Sequence, residues 1–73
     1  MIIGVPKAIK LQEHRIGLTP DSVQVLTKKG HEVLIQNNGG FEAGFTNENY
    51  KNAGAKIVDT AEEIFKRSEI IVI

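Results

Sequence analysis

Short apolar runs alternate along this chain with stretches that open on a threonine, and that alternation decides what it can fold into. Residues 2–5, 31–35, 55–58 and 69–73 read as strands, and Thr19, Thr46 and Thr60 each open a helix between two of them. Thr19 supplies a cap, Pro20 suits the first helical position and Asp21 complements the positive helix end. Leu18 and Val23 are spaced as a hydrophobic staple, and Lys28-Lys29-Gly30 stops the helix with cations followed by glycine. Thr46 repeats the device, with Phe45 and Tyr50 at staple spacing and Gly54 as the stop. Thr60-Ala61-Glu62-Glu63 is a capping box, after which Ala61, Ile64 and Phe65 face one side at helical spacing. Strands alternating with helices imply βαβ units, hence an α/β fold whose parallel sheet carries helices on both faces.

One connection in this plan is too long. Between the first strand and Thr19 lie about a dozen residues, Pro6 to Leu18, where such connections ordinarily run roughly two to six. Six of these thirteen residues are polar or charged, and a small domain gains no stability from a long charged loop. The excess length points to recognition at the carboxyl end of a strand. Arg15 is its most informative residue. A solvated loop cation is the plain account. The functional account is carboxylate recognition, because a guanidinium stays charged and its planar fork matches both carboxylate oxygens. Glu13 would lie on the same side of an extended backbone and could orient Arg15. His14 would point away and reads as a surface histidine, while His31 has a structural account as a cation near a helix C-terminus. Neither histidine is a catalytic candidate.

Composition excludes several classes of function. The chain has 73 residues, 41% of them hydrophobic and 25% charged, so it is one globular domain at most and marginal by itself. Nine basic residues balance nine acidic ones, leaving no net field to draw nucleic acid or an anionic membrane. Without cysteine it has no disulfide and no Cys-based zinc site, and no metal set is expected. The start, Met1-Ile2-Ile3-Gly4-Val5-Pro6, is neither a secretion signal nor a membrane anchor, and a cytoplasmic location is the default. The apolar run at residues 69–73 has no turn or charge behind it, so the expectation is an incomplete part of a larger domain, with an adhesive edge.

The stretch Asn37-Asn38-Gly39-Gly40-Phe41-Glu42-Ala43-Gly44 follows a strand and precedes a helix, as a nucleotide loop would. Its spacing, however, is not G-x-G-x-x-G, it lacks a Gly-Lys-Ser/Thr end, and Glu42 would repel phosphate. A turn needing positive φ at its glycines is the expectation. A phosphoacceptor receiver is disfavoured too, since Pro6-Lys7 and Asn37-Asn38 occupy the strand ends where such modules need aspartates.

These pieces, in this order, resemble the N-terminal segment of NAD-dependent alanine dehydrogenases and, more distantly, of the nicotinamide nucleotide transhydrogenase alpha subunit. The likeness is carried by Ile3-Gly4-Val5-Pro6-Lys7, Glu13-His14-Arg15-Ile16-Gly17-Leu18-Thr19-Pro20, Gly30-His31-Glu32-Val33, Gly44-Phe45 and Tyr50 with Ala53-Gly54-Ala55-Lys56-Ile57. It implies that residues 1–73 are the N-terminal part of a substrate-binding domain with a parallel, flavodoxin-like sheet, and that the Rossmann cofactor domain lies elsewhere in the parent protein. It also implies that Arg15 binds the carboxylate of pyruvate or L-alanine, with Glu13 and Lys7 in support. A lysine, a histidine and an aspartate from later segments would complete the site. NAD would be a cofactor of the parent and not of this chain alone, the parent would be a homo-oligomer, and neither nucleic acid nor membrane would be a partner. The chain departs from the family in one place. Where the family usually reads Pro-Lys-Glu, it has Pro6-Lys7-Ala8, so a carboxylate is missing from the substrate loop. Two alternatives stay open: the transhydrogenase subunit, and a non-catalytic flavodoxin-like interaction module.

Overall fold

The computed structural model describes residues 1–7 and 18–72. Its elements run β1 (Ile2–Val5), α1 (Pro20–Lys28), β2 (Glu32–Gln36), α2 (Asn47–Asn52), β3 (Lys56–Val58), α3 (Ala61–Arg67) and β4 (Ile70–Ile71), with a 3₁₀ turn at Phe41–Ala43 before α2. All three expected N-caps form. Thr19, Thr46 and Thr60 accept hydrogen bonds from the backbone N–H of Ser22, Asn49 and Glu63. The reciprocal box, however, closes at Thr46, where the Asn49 side chain accepts from the Thr46 N–H at 2.8 Å. At Thr60 only one half is present, because the Glu63 carboxylate turns to Arg67 one helical turn on, at 3.4 Å.

The second and third strands each begin one residue later than the sequence suggests, and for one reason. Gly30 and Gly54 adopt positive φ, +94° and +103°, so each helix ends in a paired closure. Gly30 and His31 donate to Thr27 and Leu26, and Gly54 and Ala55 donate to Lys51 and Tyr50. The amides of His31 and Ala55 are thus taken by the preceding helix and do not enter the sheet ladder. β4 pairs over only two residues, Ile70 and Ile71, and Ile73 lies outside the described residues.

The four strands are parallel, in the order β3-β2-β1-β4. Ile3, Val5, Val33 and Ile35 point to one face, where they pack with Val23, Tyr50, Ala53 and Ala55 from the α1 and α2 units. Leu34 and Val58 point to the other and pack on Ile64 of α3, with Ile2 and Ile71 at the margin. Helices on opposite faces follow from the chain's route. It steps outward from β1 to β2 to β3, then reverses across the sheet to β4, and connections of one hand must change face when the direction reverses. Val5, Val23, Val33, Leu34, Ile35, Tyr50 and Ile64 are fully buried, each contributing roughly 1.5–3 kcal/mol of apolar transfer if aliphatic. Phe65 corrects the reading of α3: it is 56% exposed. Ile64 points at the seam of β1 and β2, and a step of about 100° per residue carries its neighbour off so narrow a contact.

Candidate functional site

Because the strands are parallel, every carboxyl end lies on one rim, and the reversal between β1 and β4 puts the topological switch point there. The long connection leaves β1 at Val5 and rejoins the fold at α1, so it opens from that rim. Arg15, Glu13, His14 and Ala8 lie outside the described residues. Lys7 is described, and it is exposed at the end of β1. Its backbone N–H donates to Gln36 Oε1 at 2.7 Å. At the far end of the connection, the Leu18 carbonyl accepts from the Tyr50 hydroxyl at 2.9 Å.

Tyr50 is fully enclosed. Its ring meets Phe45 edge to face, centroids 6.1 Å apart and planes at 78°, which is the expected staple with an aromatic geometry. Burial pushes its phenol up to about 12, since the phenolate would lose its water. The sequence singled out Tyr50 as a packing residue and missed its polar role; the hydroxyl on an otherwise apolar staple was the available signal. Gln36, the last residue of β2, carried no local signal at all, because its partner is 29 residues away.

The connection after β2 is a knot of asparagines. Asn37 donates its N–H to the Val58 carbonyl at 2.7 Å, Asn38 donates to Asn47 Oδ1 at 2.9 Å, and Asn47 Nδ2 donates to Asn37 Oδ1 at 2.7 Å. Of the loop's glycines, Gly44 has the expected positive φ (+91°) and Gly39 and Gly40 do not, while Asn38 (+59°) takes the other left-handed position. Gly39 and Gly40 are small for a different reason. A Cβ on Gly40 would sit 2.6 Å from the Tyr50 ring and hydroxyl, and one on Gly39 would sit 2.8 Å from the Gln36 carbonyl. Both glycines therefore face protein, and the loop leads into a 3₁₀ turn, so this connection does not make a dinucleotide cradle.

A shallow groove opens beside this knot between the starts of α1 and α2, lined by Thr19, Pro20, Asp21, Phe45 and Asn49 among others. Among the described residues its ionisable group is the acidic Asp21. Glu32 meets Lys56 at 3.7 Å and Arg67 at 3.6 Å at the opposite, amino rim, where these ions tie strand starts to the end of α3. Among the described residues no group of three His, Asp or Glu is placed to hold a metal, and no helix is long and apolar enough to cross a membrane.

Comparison with known proteins agrees with this architecture. Residues 4–73 match the family model described as alanine dehydrogenase/PNT, N-terminal domain. The chain is 39% identical over 72 residues to alanine dehydrogenase of Mycolicibacterium smegmatis and 43% identical over 72 residues to that of Methanococcus maripaludis, in each case over 99% of this chain and 19% of the relative. Among solved structures, an L-alanine dehydrogenase superposes with a TM-score of 0.95 at 47% identity, over 99% of this chain and 20% of that one. A transhydrogenase from Sinorhizobium meliloti superposes at 0.87 with 24% identity, over 97% of this chain and 21% of that one, which is a likeness of fold alone. The chain thus spans about a fifth of the length of the relatives it matches. A parallel sheet with this strand order, and a match running through nearly every residue, make the chain a member of the alanine dehydrogenase/PNT N-terminal domain family.

Proposed function

We propose that this chain is the N-terminal part of the substrate-binding domain of an alanine dehydrogenase, the enzyme that interconverts L-alanine with pyruvate and ammonia using NAD. In this reading Arg15 grips the carboxylate of pyruvate or L-alanine, Glu13 orients Arg15, and Lys7 helps shape the loop. The observation that supports it is the departure of the long charged connection from the carboxyl end of β1, beside the switch point where open α/β sheets bind ligands. NAD supplies the hydride chemistry from a separate domain of the parent. The 73 residues are therefore a binding element and not a catalyst alone. The parent is a cytoplasmic homo-oligomer that engages neither nucleic acid nor membrane.

The test is pyruvate binding to the full-length protein and to its Arg15→Ala variant. Losing a charge-assisted hydrogen-bonded pair costs about 1.5–3 kcal/mol, so binding weakens by roughly tenfold to a hundredfold. Arg15→Lys recovers only part of it, because an ammonium lacks the fork. Equal binding by wild type and Arg15→Ala would remove the anchoring role and leave a docking module as the better account.

A further inference from the structure

The residues that bracket the segment carrying Arg15 are each held by a side chain from the next βα unit. On one side, Gln36 Oε1 accepts from the Lys7 N–H at 2.7 Å; on the other, the Tyr50 hydroxyl donates to the Leu18 carbonyl at 2.9 Å. These bonds span 29 and 32 residues of sequence and join a strand end and a helix to the two flanks of one connection. Both holders are themselves fixed. Gln36 is in the β2 ladder opposite Val58. Tyr50 is fully buried, wedged against Gly40, where no Cβ fits, and edge-on to Phe45. Neither bond is needed to close the core. The Lys7 N–H lies on an exposed residue that water could serve, and a phenylalanine ring would fill the same core volume as Tyr50 while leaving the Leu18 carbonyl without its donor.

We infer that Gln36 and Tyr50 are positioning residues for the substrate loop: they hold Lys7 and Leu18, the two residues from which it leaves and rejoins the fold. The inference rests on the carboxylate-binding role proposed for Arg15. Such residues touch no substrate and act through the backbone they hold. Displacing a binding group by about 1 Å can cost on the order of a hundredfold, so the loss of one tether is large enough to measure.

Steady-state kinetics of the full-length enzyme carrying Gln36→Met, Gln36→Glu, Tyr50→Phe or Arg15→Ala tests this, with KM for pyruvate and for NADH read separately. Gln36→Met and Tyr50→Phe are expected to raise the pyruvate KM by about tenfold, with the NADH KM unchanged. Gln36→Glu keeps an acceptor for the Lys7 N–H. At high salt, which screens its added charge, it is expected to restore the wild-type pyruvate KM. If Arg15→Ala raises the pyruvate KM while Gln36→Met and Tyr50→Phe leave it alone, the positioning role is overturned and the carboxylate role stands. If Arg15→Ala has no effect, the carboxylate role falls and the positioning role with it. A rise in both KM values together, or failure of Gln36→Glu to rescue, marks a general structural defect and also overturns the inference. Should Tyr50→Phe not fold, the Gln36 pair decides.

Discussion

Tyr50 combines three jobs in one side chain: it fills the core beneath α1 and α2, stacks edge-on with Phe45, and donates to the Leu18 carbonyl. Its phenol is raised from the ordinary value near 10 to about 12. The folded state therefore favours the protonated form, and the associated stability is intact below the unfolded value near 10. It drains away as pH rises through about 12, and the total at stake is about 2–3 kcal/mol. With one tyrosine and no tryptophan in the chain, the ultraviolet titration of tyrosinate reads this group alone. Its midpoint is expected near 12 in the folded protein and near 10 in strong denaturant. Tyr50→Phe is expected to destabilise by about 1–2 kcal/mol at neutral pH, by stranding the Leu18 carbonyl, and to flatten the alkaline decline. Gly4 is a second residue-scale constraint, since a Cβ there would run into Ser68 Oγ and lie 2.8 Å from Ile64 Cγ2. Gly4→Ala pushes α3 off the sheet, and a loss of about 1–3 kcal/mol in a urea titration is the expected outcome.

At the scale of elements, the helices are set by their ends more than by their length, since α2 and α3 have only six and seven residues. Isolated helices so short do not persist in water, so caps and packing must supply what propagation cannot. The closed box at Thr46 and the half box at Thr60 allow a direct comparison. Thr46→Ala and Thr60→Ala each leave one helix N–H without its side-chain acceptor, at about 0.5–2 kcal/mol, whereas Asn49→Ala takes the acceptor from the Thr46 N–H and so removes the reciprocal bond, at about 0.5–1.5 kcal/mol. Denaturant titration of Asn49→Ala checks the reciprocal bond, and an unchanged midpoint would show that it contributes nothing. The sequence pointed to a box at Thr60 because Glu is the usual third residue of a box, whereas Glu63 has a competing cation, Arg67, one turn away.

For the whole molecule, the governing fact is a parallel sheet whose β4 edge has no further strand beside it among the described residues. In that edge strand Ile70 is 44% exposed. Parallel sheets are stable when both faces and their edges are covered, and an open apolar edge recruits other chains. The isolated 73-residue chain is accordingly expected to self-associate, with a thermal transition that shifts with protein concentration. Light scattering alongside calorimetry checks this, and a soluble monomer with a sharp, concentration-independent transition would contradict it.

The order of strands and helices, the three capping threonines, both staples and both glycine stops are written in local sequence, because each depends on residues no more than five apart. Local pattern also carried the likeness to the family, through Pro6-Lys7 and the run from Glu13 to Pro20. Tertiary structure alone decided the rest. It placed β4 beside β1, turned Phe65 outward, made Gly40 small to admit the Tyr50 ring, and tied Gln36 and Tyr50 to the two flanks of the long connection. None of these is legible along the chain, since each depends on how segments distant in sequence pack against one another. A hydrogen bond spanning about thirty residues leaves no periodicity to read.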